Sequence, residues 1–293
     1  MRLFDWIAAL LMAIGLVWQL FDSDGDEASF QRHPPIESPE RRAERVAPRP
    51  PPSSRAQELP PPMETDPVFR VHVERRRGTS TGTAFAIESG GLWLTARHVV
   101  QDCPRVALRG ERGWVRTQIA WMHPRADLAL LRTQGGAEAF ALSAEPLVAR
   151  QEAFGIGFPQ GKPGAVHGRV LGRSQMQAEG RFSGRAPTVT WAELARVPDF
   201  SGSLGGISGG PLLDARGNLL GVVVSESPRR GRFDAIAPEV LAGLTQAAGG
   251  EAPLRRAAPG ETSAMPLSGP ALGRISDALR ARRSITQAIC SDR

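Results

Sequence analysis

From residue 67 onward, short apolar stretches alternate with Gly, Pro and Asp turns. The stretches 68–73, 81–87, 92–95, 105–108, 115–120 and 128–131 read as strands, because each is short, apolar and bounded by turn residues. Glu88-Ser89-Gly90-Gly91 between the second and third is a hairpin signal. After Gly135-Gly136 a second series begins, at 152–157, 165–171, 187–191, 211–213, 219–225 and 232–236. Regularly spaced short strands predict a sandwich or barrels, with the gap at 137–149 as the crossing between halves. A helix is predicted over 238–248, with Pro238 in its first turn and Gly249-Gly250 ending it. The segment 251–270 is linker-like, and 271–289 has helical spacing at Leu272, Ile275, Leu279 and Ile285. That tail either docks on the domain, lies on a membrane or partner, or frays.

The N-terminal part follows other rules. Trp6 to Phe21 is almost continuously apolar, with Arg2 before it and Asp22, Asp24, Asp26 and Glu27 after it. It is short for a membrane span but usable with its flanks, and Arg2 favours a cytoplasmic N-terminus. The bulky run Val17-Trp18-Gln19-Leu20-Phe21 lacks the small residues of a signal-peptidase site, so an uncleaved anchor is expected. Residues 22–66 hold ten prolines among Arg, Glu and Ser. They cannot bury enough apolar surface to fold and read as an extended tether. The expected division is therefore an anchor at 1–21, a disordered linker at 22–66, a folded domain at 67–248, and a linker with a helical tail at 249–293. The location that follows is a bacterial inner membrane, crossed once, with the folded domain in the periplasm.

Composition narrows the function classes. The 293 residues carry a net charge of +6, almost wholly from Arg, since Lys162 is the only lysine. The basic residues are scattered and not interleaved with aromatics, so nucleic-acid binding is not expected. Cys103 and Cys290 are the two cysteines. An exported location permits a disulfide between them, and two independent thiols is the other reading.

The candidate chemistry lies in three places. Ser208 sits in Gly206-Ile207-Ser208-Gly209-Gly210-Pro211-Leu212, His98 follows the apolar Leu94-Thr95-Ala96, and Asp127 leads Leu128-Ala129-Leu130-Leu131. A serine hydroxyl is a poor nucleophile without a base in hydrogen-bond reach, and that base needs a third group to fix its tautomer. His98, Asp127 and Ser208 can fill these catalytic roles. The glycines permit a tight turn whose amides converge, and those of Gly206 and Ser208 are the candidate oxyanion hole, with that of Ile207 a weaker one. His72, His123 and His167 are isolated from other ligand types, so no metal and no cofactor are expected.

These segments, with Gly82-Thr83-Ala84-Phe85-Ala86-Ile87, Gly155-Ile156-Gly157-Phe158-Pro159-Gln160-Gly161 and Phe233-Asp234-Ala235-Ile236-Ala237-Pro238, resemble the trypsin-like serine proteases of the chymotrypsin clan. The bacterial HtrA-like branch is the most similar. The resemblance covers about 67–248 and implies an all-β fold, a chymotrypsin-like double β-barrel with a short C-terminal helix and the site between barrels. It also implies that Ser203, Leu204, Val223, Val224 and Ser225 wall the substrate pocket. With Gly202 where trypsins place an acid, a small-to-medium apolar residue is expected there, Asp199 being the acid that could reach it. Three departures stand out. Ile207 replaces the Asp that pairs with a new N-terminus in activated digestive proteases, or the Asn frequent in HtrA-like proteins. Arg97 stands beside His98, where inward placement would depress the imidazole's basicity, although a solvent-facing side chain is expected. The residues after the domain, about 45 of them, are too few for a PDZ domain.

The expected function is a membrane-anchored serine endopeptidase acting on polypeptides, in periplasmic protein processing or quality control. The alternative is a latent or non-enzymatic module of the same fold that binds peptides or a partner. An esterase is a third reading, against which stand the His-Asp-Ser order and the missing HGGG-type motif.

Overall fold

The computed structural model describes residues 57–74, 79–244 and 254–291. The expected anchor, and the linker up to residue 56, lie outside them. Among the described residues no helix is long and apolar enough to cross a membrane.

The chain is mostly β. Strands β2 (Ser80–Glu88), β3 (Leu92–Thr95), β4 (Arg105–Gly110), β5 (Gly113–Met122) and β6 (Ala129–Arg132) belong to the first half, and a one-turn helix α1 (Arg97–Val100) follows β3. The second half holds β7 (Glu152–Gly157), β8 (Gly164–Gly180), β9 (Gly184–Val197), β10 (Pro211–Leu213), β11 (Leu219–Ser227) and β12 (Arg232–Ile236), then the short helix α2 (Pro238–Ala242). Its sheet runs β1-β8-β7-β10-β11-β12-β9, where β1 is Val68–Val73. A further β8–β9 pairing joins the last strand back to β8, so β7 to β12 form a second ring.

The first barrel is closed in the order β13-β2-β3-β6-β5-β4, and its closing strand β13 is Ile285–Ser291. This corrects the reading of 271–289 as one helical stretch. Helix α3 covers Leu272–Ala281, burying Leu272, Ile275 and Leu279. Arg283 then takes a φ of 60°, and the chain turns into a strand antiparallel to both β2 and β4. The register pairs Ile285 with Phe85 and Ala288 with Leu108. A disulfide between Cys103 and Cys290, 187 residues apart, fastens β13 to the segment after α1.

Two further expectations need correction. The strand at 68–73 is present, but it lies parallel to the far end of β8 and takes no part in the first barrel. The linker-like stretch is also not free where it is described. The Ala257 amide donates to the Leu142 carbonyl, the Leu267 amide donates to that of Ala215, and both side chains are buried.

Strand β8 runs on well past the predicted 165–171 because polar residues continue it. Ser174 is buried yet shares hydrogen bonds with the hydroxyls of Thr188 (2.8 Å) and Thr190 (2.9 Å) on β9. A polar group satisfied across the sheet costs little to bury, so apolar periodicity cannot mark it. The main core holds Phe85, Leu92, Leu94, Leu128, Leu130 and Leu131. A second core inside the other ring holds Val166, Trp191, Leu212, Val223 and Phe233.

Candidate active site

Helix α1 presents His98. It is only one turn long, yet Val99 and Val100 are buried and fix its rotation. The His98 backbone N–H donates to Asp127 Oδ1 at 2.8 Å, and its Nδ1 lies 2.5 Å from Asp127 Oδ2. Both carboxylate oxygens are thus engaged by one residue, and Asp127 is 2% exposed. The turn before Asp127 is shaped by His123. Its Nδ1 accepts from the amides of Arg125 (3.1 Å) and Ala126 (2.8 Å). Burial first, then the charges of Arg125 and Arg97, hold the His123 imidazole below its ordinary pKa. That favours the neutral ring an acceptor nitrogen requires.

Arg97 is held in place and half-buried. Its guanidinium donates to the His123 carbonyl (2.9 Å) and to Gln101 Oε1 (2.5 Å), and lies 4.5 Å from the centre of the Phe182 ring. Phe182 belongs to the tip of the β8–β9 hairpin, which also meets the first half through Gln101 Nε2 to the Arg181 carbonyl (2.8 Å) and an Arg181–Asp102 ion pair (3.1 Å).

Ser208 lies in the turn before β10. Gly206 and Gly209 have φ of 102° and 84°, in the left-handed region. A Cβ on Gly206 would stand 2.4 Å from the Phe158 carbonyl oxygen, and one on Gly209 2.3 Å from that of Thr83. The turn's amides divide into two groups. Those of Ile207, Gly209 and Gly210 donate to the carbonyls of Leu204, Val223 and Ile207. Those of Gly206 and Ser208 meet no acceptor among the described residues.

Three side chains the sequence did not single out hold this loop. Thr83, fully buried, donates its hydroxyl to the Gly206 carbonyl at 2.8 Å, and its amide donates to the Ser208 carbonyl at 2.8 Å. Gln160 donates Nε2 to the carbonyls of Ser201 (2.9 Å) and Ser203 (3.0 Å), and its amide to that of Gly205 (2.6 Å). The Glu226 carboxylate accepts from the amides of Leu204 (2.7 Å) and Gly205 (3.1 Å) and from the Ser203 hydroxyl. Ile207 is buried in the second core and gives the loop an apolar anchor.

His98, Ser208, Gly205, Gly206 and Val224 line one cavity of about 510 Å3. Of the other expected pocket residues, Leu204 and Val223 are buried in the second core. Ser203 is exposed and bound to Glu226, while Ser225 donates to Asp234 Oδ2 at 2.8 Å. The Asp234 carboxyl is pushed above the usual carboxylate range by burial, against the opposing hydrogen bonds from Thr190 and Ser225. His167 pairs with Glu152 at 3.0 Å, and among the described residues no three His, Cys, Asp or Glu gather as a metal site.

Residues 82–222 match the trypsin-like peptidase domain family. Over 184 residues the chain is 28% identical to a probable periplasmic serine endoprotease, DegP-like, of Pseudomonas putida, covering 57% of this chain and 36% of that protein. The chain therefore spans little more than a third of the length of that curated relative. Among solved structures, the Rv3671c protease from M. tuberculosis in its active form is similar with a TM-score of 0.48 and 18% identity, over 59% of this chain and 81% of that one. The HtrA-type protease AlgW with a decapeptide gives a TM-score of 0.45 and 19% identity, over 58% and 52%.

Proposed function

We propose that this chain is a serine endopeptidase in which Ser208 is the nucleophile, His98 the base and Asp127 its orienter, a reading supported by the match of residues 82–222 to the trypsin-like peptidase domain family. One observation carries the reading. His98, held by Asp127, lines one cavity with Ser208 and Gly206, whose amides meet no acceptor among the described residues. With Nδ1 held by Asp127, the Nε2 of His98 is the nitrogen that takes the Ser208 proton. The Ser208 Oγ then attacks the peptide carbonyl carbon, and the negative oxygen is received by the amides of Gly206 and Ser208. His98 returns the proton to the leaving amine, and the acyl group stays on Ser208. Water, deprotonated by His98, releases the acid and restores the serine. Asp127 holds the ring in place and stabilises the imidazolium that forms.

The periplasmic location named for the DegP-like relative supports an exported domain. Residues 1–21 would anchor it in the inner membrane, and the prolines of 22–66 would space it from that surface. Its substrates would be polypeptides of that compartment, in protein processing or quality control.

Labelling of the purified chain with a fluorophosphonate tests the reading. We expect labelling that is abolished by Ser208→Ala. A folded chain that stays unlabelled would favour the latent, peptide-binding alternative.

A further inference from the structure

The cavity at Ser208 has a wall that the catalytic roles do not use. Val71, His72, Val73 and Glu74 line it together with His98, Gly206 and Ser208. They come from β1 and the residue after it. Among the described residues β1 is the edge of its sheet, because β9 at the other end pairs back to β8. Its pairing fixes which backbone groups are spent. The Pro67 carbonyl accepts from the Gln175 amide and the Val73 carbonyl from the Arg181 amide, both at 2.9 Å. Both groups of a strand residue point to the same side and alternate along the strand. Residues 67, 69, 71 and 73 therefore turn to β8, and Arg70 and His72 turn their N–H and C=O to the open edge.

An open edge is a template for another strand, and folded proteins ordinarily blunt it with charged side chains, proline, a bulge or a cover, of which β1 itself carries the charge of Arg70. β1 has no bulge in its register with β8 and no proline within Val68–Val73. Its side chains do not close the edge either. Phe69, Val71 and Val73 pack on the main core, while Arg70, His72 and Glu74 project from the opposite face. Ser80 and Thr81 of β2 line the same cavity as Ser208.

We propose that a polypeptide substrate binds by adding a strand to the open edge of β1, pairing with the backbone of Arg70 and His72 while its scissile bond lies at Ser208. The proposal rests on the protease reading for its occupant. Recognition through backbone groups takes extended, unfolded chain of many sequences, with side-chain pockets refining the choice. Folded polypeptide, whose own strands are already paired, is excluded.

Two measurements test it. In the full chain carrying Ser208→Ala, hydrogen–deuterium exchange is followed with and without excess reduced, carboxymethylated casein. Slowed exchange of the Arg70 and His72 amides is expected, and unchanged exchange there would overturn the proposal. Slowing that appears without casein as the chain is concentrated would overturn it in favour of a second copy on the edge. In the active chain, His72→Pro removes one outward N–H without touching a bond to β8, a change an edge strand tolerates. Fluorophosphonate labelling should stay at the parent rate while kcat/KM on the same casein falls by about tenfold or more. Casein cleavage at the parent rate overturns the proposal. Should the parent chain fail to label, the protease reading falls alone, since the exchange experiment decides strand addition without catalysis.

Discussion

At the scale of single residues, the site depends on groups whose partners are already assigned. Asp127 offers one oxygen to the His98 amide and the other to Nδ1. Asp127→Asn keeps the shape but presents an N–H2 where an acceptor is needed, so the imidazole takes the wrong tautomer. A fall in kcat of about four orders of magnitude is expected from steady-state kinetics, with little change in KM. Glu226 is a positioning residue, since it grips Leu204 and Gly205 one step before the Gly206 amide. Glu226→Ala should slow fluorophosphonate labelling by about tenfold, in line with the loss of charge-assisted hydrogen bonds. Glu226→Gln, which can still accept, should recover part of the rate. A change in the preferred substrate side chain with an unchanged labelling rate would instead make Glu226 a specificity residue. His123 sets a pH dependence. Its folded pKa is lowered, so its contribution to stability is present above the ordinary histidine value of about 6.5 and is lost as pH falls through the folded value. The denaturant midpoint should therefore drop between pH 7.5 and 5.5. In His123→Asn, whose side-chain oxygen can accept the same amides without titrating, that drop should shrink. Equal drops in the two proteins would show that another group carries the effect.

At the scale of elements, the sequence was most legible where a strand is apolar and bounded by turns. β7, β10 and β12 fall where the pattern puts them, because each is short, buried on most positions and closed off by glycine, proline or a charged turn. The contexts of His98, Asp127 and Ser208 were legible for the same reason, as each adjoins such a strand. β8 was underestimated because Ser174, beyond its predicted end, is satisfied inside the sheet by Thr188 and Thr190. β13 was missed for a different reason. Its preceding helix has true helical spacing, and the β-branched Ile285, Thr286 and Ile289 were absorbed into that pattern. The strand at 68–73 also supplied a sixth candidate for the first half, so no vacancy signalled that one was lacking. Thr83 and Glu226 gave no signal at all, since their roles arise from backbone groups distant in sequence.

At the scale of the whole molecule, the ring carrying His98 and Asp127 is completed by the last strand described. Nearly two hundred residues separate β13 from its partner β2, so the entropy of closing that loop must be met by packing and by the Cys103–Cys290 bond. Cys290→Ser should lower stability by about 2–5 kcal/mol, measured by denaturant unfolding. The parent should lose a similar amount in dithiothreitol, and the variant should be indifferent to it. A parent equally stable with and without reductant would mean that β13 is held by its hydrogen bonds and its packing on β2 and β4 alone.

The place of β13 in the chain also governs when the protein could first cut anything. While a polypeptide is being made or threaded outward, its earlier segments are free to fold before its later ones exist. Here the ring that leads into Ser208 can assemble early, but the ring carrying His98 waits for residues that emerge after it. A nascent copy would hold Ser208 without a finished support for His98, and would be harmless to the machinery delivering it. The pairing of Cys103 with Cys290 requires an oxidising compartment, so completion would coincide with arrival.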